Sequence, residues 1–168
     1  HKIVWWWPQG GTALSAGEVA QGYREVADPS VYVALPLLDS DGQRTNRNLV
    51  VWTTTPWTLP ANQFVAVQPD LEYAVLQEVS ANDRAEASSI AQYIVLTTLA
   101  VTFGEKLKKQ FTVIEQLSGA SLVGRCYQPP FDIYCPVGPS LTARLNEGTQ
   151  QATAWRVVAG SFVTTDIG

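Results

Sequence analysis

The sequence predicts a mainly β fold with peripheral helices, an α+β chain whose strands form a closed or nearly closed barrel. Three observations carry this. Short runs rich in Val, Ile, Tyr, Trp and Thr recur along the chain, cut by Pro, Gly and Asp turns. Helical spacing occurs in only one or two places. With 168 residues, 46% of them hydrophobic and 15% charged, the chain has the size of one domain and the apolar content for a core.

Taken in order, Ser15-Ala16-Gly17-Glu18 has the form of a capping box and predicts a short helix over residues 16–21, weakened by Gly17. Residues 23–38 read as strand, turn, strand, with Asp28-Pro29-Ser30 as the turn. Residues 39–46 are a loop by composition. Residues 49–55 form the next strand, ended by Pro56, which cannot donate to a ladder. Strands follow over 64–67 and 72–79, the latter with Tyr73, Val75 and Val79 on one parity, and over 93–96. Leu99, Phe103 and Leu107 recur at helical spacing, with Lys106, Lys108 and Lys109 in the last turn, where the dipole favours cations. Residues 111–117 return to strand, and 118–151 carry mostly loop chemistry with one or two short strands around 131–134. Residues 155–158 and 162–164 close the chain as strand or hairpin.

Composition narrows the function classes. Eleven basic against 15 acidic residues give a net charge of −4, which argues against a wide phosphate-gripping surface but leaves room for gripping one strand end. No run approaches the roughly 18 apolar residues of a membrane span. The one His, at position 1, leaves a tetrahedral metal site short of ligands and rules out a His-based triad within these residues. Cys126 and Cys135, flanking Pro129-Pro130, read as two free thiols of a cytoplasmic protein. The chain opens at His1 and contains no Met, as expected of a piece of a longer polypeptide.

The unusual run is Trp52-Thr53-Thr54-Thr55-Pro56-Trp57-Thr58-Leu59-Pro60-Ala61-Asn62. On a strand, Thr53 and Thr55 share one face and Thr54 the other, and Pro56 puts the last hydroxyls near a strand end. Neutral hydroxyl and amide groups then crowd one rim between two indoles, able to hydrogen-bond a polar ligand without a strong nucleophile or base. A Thr-rich strand beside Trp is equally compatible with plain sheet packing.

The same run closely resembles the threonine-rich motif of the editing domain inserted into class I isoleucyl-tRNA synthetases, and the continuation from Pro56 to Asn62 resembles the isoleucine branch rather than its valine and leucine relatives. Gly11-Thr12-Ala13-Leu14-Ser15, Gly22-Tyr23 and Asp28-Pro29-Ser30-Val31-Tyr32-Val33 resemble the start of that domain. Tyr127 with Pro129-Pro130-Phe131, and Val157-Val158 through Phe162-Val163-Thr164, resemble its later part. The resemblance implies a β-barrel-like editing domain of the Val/Ile/Leu-tRNA synthetase type, with residues 1–22 as a leading linker and 23–168 as a barrel core lacking its C-terminal part. It implies hydrolysis of valyl-tRNA(Ile), or of valyl-adenylate, by attack of water on the ester. One methylene gives only about 1–3 kcal/mol of discrimination, a limit for which isoleucyl enzymes are themselves the usual illustration, so a second sieve removes what slips through.

By the family's pattern Thr53 and Thr54 contact the aminoacyl ester and exclude the larger cognate side chain. Thr55 and Trp57, with Trp52, fall on the substrate-binding wall, and Asn62 falls near the terminal adenosine. Thr53, Thr54 and Asn62 are thus the implied catalytic positions, by dipoles that orient substrate and oxyanion. No cofactor or metal is implied in this domain, ATP and Mg belonging to the parent's synthetic site. The implied partners are the tRNA(Ile) 3′ end and the rest of the synthetase in cis, without a membrane. The family's Gly-Thr-Gly-x-Val-His stretch, and the Asp after it that binds the α-amino group, would follow Gly168, and Asp166 is not a substitute. Without them, a module that binds the aminoacylated 3′ end without turnover is the alternative. Trp7-Pro8-Gln9-Gly10 stands where many relatives have a Cys pair, so no zinc is expected there. Trp5-Trp6-Trp7 is expected to contact the synthetase body or to join the core.

Overall fold

The computed structural model describes residues 3–25, 27, 29–79, 90–131, 142–144, 150–152 and 154–164. In chain order the elements are β1 (Trp5–Trp7), β2 (Thr12–Leu14), α1 (Ala16–Gln21), β3 (Val31–Leu38), β4 (Arg44–Thr53), a 3-10 helix (Pro56–Ala61), β5 (Phe64–Val67), β6 (Glu72–Glu78), β7 (Gln92–Leu96), a 3-10 turn (Thr97–Leu99), α2 (Ala100–Leu107), β8 (Phe111–Ser118), α3 (Gly119–Leu122), β9 (Thr142–Arg144), β10 (Gln150–Ala152) and β11 (Arg156–Ala159). Five strands form one sheet in the order β3-β4-β7-β6-β8, and β5 pairs in parallel with β11.

The two sheets are joined by the short segment around Cys126. Leu38 N–H donates to Cys126 O at 2.9 Å and Gln128 N–H to Pro36 O at 2.8 Å, tying it to β3. Tyr127 N–H donates to Trp155 O at 2.9 Å and Val157 N–H to Arg125 O at 2.8 Å, tying it to β11. The strands therefore run continuously from β8 to β5, as a barrel requires. β4, however, pairs with β7 only over Arg47, Asn48 and Leu49. Beyond Leu49 the two strands part, although β7 runs on to Leu96; residues 50–53 of β4 pair with no strand on that side among the described residues, and the curl stays open at this seam.

Alternation sorts the apolar residues to the two faces of the large sheet. Leu35, Leu37, Leu49, Tyr73, Val75, Ile94 and Leu96 face inward, where Val65, Val67, Leu122, Tyr127, Trp155 and Val157 meet them. Ala74, Leu76 and Val95 face outward, and Phe103 of α2 covers them among Tyr32, Tyr93 and Phe111. Phe103 lies edge-on to Tyr32 at 5.4 Å between ring centroids and 5.4 Å from Phe111, close to the separations aromatic pairs prefer.

Local chemistry explains where the elements stop. Asp39 accepts from the N–H of Asp41 at 3.0 Å and of Gln43 at 2.8 Å, closing the β3–β4 hairpin in an Asx-type turn. The loop is therefore 39–43 rather than 39–46, and β4 begins at Arg44. β4 ends at Thr53, not Thr55, because Pro56 opens a 3-10 helix where a plain turn was expected. α2 ends at Lys108, whose φ of 54° makes a left-handed cap.

Several expectations give way to pairing. Residues 23–25 form no strand, because β3 takes β4 as its partner. The stretch 118–151 contains α3 and the hairpin β9–β10, while the strands expected over 131–134 fall largely outside the described residues. Residues 162–164 are turn and coil, since β11 finds its partner in β5. Cys126 is a free thiol, and Cys135 lies outside the described residues. The indoles of Trp5, Trp6 and Trp7 are 64%, 60% and 49% exposed on a hairpin that pairs with itself, so they are not core. No helix among the described residues is long and apolar enough to cross a membrane.

α1 keeps its predicted bounds. Glu18 N–H donates to Ser15 Oγ at 3.3 Å, and Ser15 N–H donates to Glu18 Oε2 at 2.7 Å. These bonds hold the Glu18 carboxyl below its usual range, so the cap is intact above ordinary carboxylate pKa values and is lost as pH falls through the lowered one. No residue of α1 is buried, so the cap carries much of its order. Ser15→Ala is expected to speed amide exchange across residues 16–21 about fivefold, and unchanged exchange would show the helix to be held otherwise.

Candidate functional site

The Thr-rich run sits at the seam. Thr53 ends β4, and its Oγ1 accepts the Thr55 N–H at 3.0 Å and lies 3.2 Å from Thr55 Oγ1. This turns the backbone out of the sheet. Pro56 is pre-set for the first helical position, and Thr58 closes the turn by donating both its N–H (3.0 Å) and its hydroxyl (2.8 Å) to Thr55 O. The 3-10 helix then brings Asn62 back beside β5.

Asn62 is held by three hydrogen bonds, through its side chain and its carbonyl. Its Nδ2 donates to Phe64 O at 3.1 Å, and its Oδ1 accepts from the Tyr127 hydroxyl at 2.6 Å. Its backbone carbonyl accepts the indole N–H of Trp155 at 3.1 Å. Tyr127 is 1% exposed, and burial pushes its pKa well above the usual tyrosine range. Trp155 takes a left-handed φ of 54°, and its N–H donates to Gln63 O at 2.6 Å. The run is thus moored to the segment around Cys126 and to the start of β11.

A cavity of about 750 Å³ opens between residues 50–53 of β4 and the facing edge of β5. Trp52, Thr53, Thr58 and Asn62 line one side; Leu96, Leu99 and Tyr73 are apolar floor; Phe162, Val163 and Thr164 form a further wall. Across the end of β4 the lining continues to Tyr32, Thr102 and Lys106. Of the sequence-predicted residues, Trp52, Thr53 and Asn62 are brought together here. Thr54 and Thr55 are exposed and do not line the cavity, and Trp57 is 73% exposed on the outside of the 3-10 helix. The lining described offers hydroxyl, amide, indole and ammonium groups. Among the described residues no three His, Cys, Asp or Glu side chains gather as a metal site would require.

Sequence reasoning left Tyr127, Trp155, Lys106, Tyr32 and Phe162 without a role at the site. For Tyr127 and Trp155 the signal is weak, because buried aromatics normally read as core. Lys106 reads as an ordinary last-turn cation.

Comparison with known proteins bears on this seam-and-cavity arrangement. No protein-family model matches the chain. It is 38% identical over 168 residues, 100% of the chain, to an isoleucine–tRNA ligase of Thermoplasma acidophilum. It is 41% identical over 133 residues to that of Streptomyces coelicolor, and 36% identical over 124 residues to the cytoplasmic ligase of Mus musculus. The chain belongs with the isoleucine–tRNA ligases. It spans 13% of the length of the Thermoplasma ligase and 9% of the mouse one, so it corresponds to one segment of such a ligase. The fold agrees: the crystal structure of GlLeuRS-CP1, from a leucyl synthetase, superposes with a TM-score of 0.52 at 14% identity, covering 83% of this chain and 52% of that one. This ligase segment therefore has a mainly β, CP1-like fold.

Proposed function

We propose that this segment is the proofreading part of an isoleucyl-tRNA synthetase, hydrolysing the ester of valyl-tRNA(Ile), or valyl-adenylate, by attack of water in the cavity at the β4 seam. The single observation that carries the reading is the position of Thr53 and Asn62. They stand together on one wall of a cavity large enough for an aminoacyl nucleoside, in a chain that aligns end to end with isoleucine–tRNA ligases. Neutral dipoles there orient the ester and receive the developing negative charge, while water is the nucleophile and no covalent enzyme intermediate forms. Thr53 acts on the ester, with Trp52 as wall, while Thr54, Thr55 and Trp57 stand outside the cavity. Asn62 acts at the adenosine side, held there by Tyr127. The tRNA 3′ end enters from solvent, the remainder of the ligase positions it, and the setting is cytoplasmic.

A second reading is favoured by the lining itself, whose described residues offer no carboxylate or imidazole to serve as base: a module that binds the aminoacylated 3′ end without turnover. One experiment separates them. Release of valine from valyl-tRNA(Ile) is measured beside release of isoleucine from isoleucyl-tRNA(Ile), with binding of a non-hydrolysable valyl-amide analogue measured in parallel. Faster cleavage of the valyl ester supports proofreading; binding without cleavage supports the second reading; neither binding nor cleavage by the folded chain overturns both. Thr53→Ala is expected to slow valyl ester cleavage about tenfold, the scale of one lost hydrogen bond. Thr54 is exposed outside the cavity, so Thr54→Ala is expected to leave the discrimination between valyl and isoleucyl esters unchanged, and admission of the isoleucyl ester would put Thr54 in the sieve.

A further inference from the structure

We propose that Lys106 and the indole N–H of Trp52 together form a phosphate subsite at the outer end of this cavity, holding the phosphate attached to the substrate's adenosine. The proposal deepens the proofreading reading and rests on it.

Register brings the two groups together. Tyr32 on β3 is the cross-strand partner of Trp52 on β4, so their side chains leave the same face of the sheet. α2 packs over that face through Phe103, and the Lys106 ammonium stands 5.7 Å from the centre of the Tyr32 ring. Tyr32 thus links Trp52, its partner in the sheet, to Lys106 on α2, and all three line the cavity.

Their chemistry is one-sided. An ammonium and an indole N–H are donors only. Among the described residues the Trp52 N–H is enclosed and has no acceptor, and Lys106 forms no ion pair, the two recorded pairs being Arg47–Glu115 and Lys109–Glu78. Lys106 is the one cation in the described lining, which holds no carboxylate to neutralise it. Two donors without acceptors in one cavity lining suit a group made only of acceptors, and a bond to phosphate would relieve the orphaned N–H at the same time. Position fits as well. Thr53 lines the same cavity, and in either proposed substrate the phosphate is separated from the scissile bond by no more than one ribose.

The test uses the 168-residue chain and three probes carrying a non-hydrolysable valyl amide: adenosine, adenosine 5′-monophosphate, and a CCA trinucleotide. Valyl phosphoramidate of adenosine, which keeps the phosphorus of the adenylate, is a fourth. The expected result is three- to fivefold tighter binding of at least one phosphorylated probe than of the adenosine probe, the scale of an exposed charged contact, with the preference shrinking as salt rises. The ratio should fall to near one in Lys106→Ala and fall in Trp52→Phe, which keeps the ring and deletes the donor. Preference for the trinucleotide identifies the tRNA end as the source of the phosphate, and preference for the phosphoramidate identifies the adenylate. Equal binding of all probes, or a preference untouched by Lys106→Ala, overturns the subsite and leaves proofreading standing. No binding of even the adenosine probe overturns the proofreading reading and the subsite with it.

Discussion

Phe103→Ala is expected to lower the stability of the chain by about 3–5 kcal/mol, the range for removing a buried aromatic ring. Phe103 is 3% exposed and contacts Tyr32, Tyr93 and Phe111. It is the one buried residue of α2, so the helix has little else to hold it on the sheet. The melting temperature should fall by about 10 °C at this chain length, while Phe103→Leu, which refills much of the volume, should recover half or more of the loss. Thermal unfolding followed by circular dichroism reads both, and a loss below about 1 kcal/mol would mean that α2 is anchored elsewhere. Lys106 lies one turn further along the same helix, so the alanine variant should also blur any discrimination between phosphorylated and unphosphorylated ligands.

Asn62→Ala is expected to cost about 2–3 kcal/mol, although composition alone makes Asn62 look like a polar residue free to meet a ligand. The substitution strands the buried Tyr127 hydroxyl, which has Asn62 Oδ1 as its partner at 2.6 Å, and a buried polar group left unpaired carries most of its desolvation penalty. Tyr127→Phe removes the hydroxyl as well as the need for a partner, so it should cost less than Asn62→Ala. The double variant should be no less stable than Asn62→Ala alone. Urea unfolding of the four proteins gives the coupling energy directly. Strictly additive losses would count against the bond. Tyr127 adds a pH signature: its folded pKa is raised, so the unfolded chain loses this proton first as pH rises past about 10, and stability falls from there upward. Tyr127→Phe should abolish that part of the alkaline slope.

These results bear on the site as much as on the fold. If Asn62 is first a tie between the Thr-rich run, β5 and the segment around Cys126, loss of hydrolysis in Asn62→Ala is not evidence of contact with the adenosine. Thr53 is the cleaner probe, because its hydroxyl serves only the local turn and the cavity.

How much was legible beforehand varies with the range of the interaction. The capping box at Ser15 and Glu18, the strand over 64–67 and the strand expected at 72–79, which ends one residue earlier at Glu78, depend on neighbours within a few residues, and they appear close to where propensity puts them. The end of β4 at Thr53 depends on a hydroxyl bonding two residues ahead, which competes with the ladder. Residues 23–25 have strand composition but no partner, since β propensity is fulfilled only by pairing. At the site, Trp52, Thr53 and Asn62 could be named as one group, while which of the three threonines faces the cavity could not.

The order of residues by itself determined a mainly β domain, its short capped helix, its Thr-rich strand end and its membership among isoleucine–tRNA ligases, because alternation, capping and turn chemistry act locally and a motif is a matter of identity. Only the tertiary structure decided that β4 parts from β7 after Leu49, that the resulting seam holds the cavity, that Asn62 is tied to Tyr127, and that Lys106 and Trp52 line the same cavity. Each of these joins residues dozens of positions apart, through pairing and packing whose partners no local pattern names.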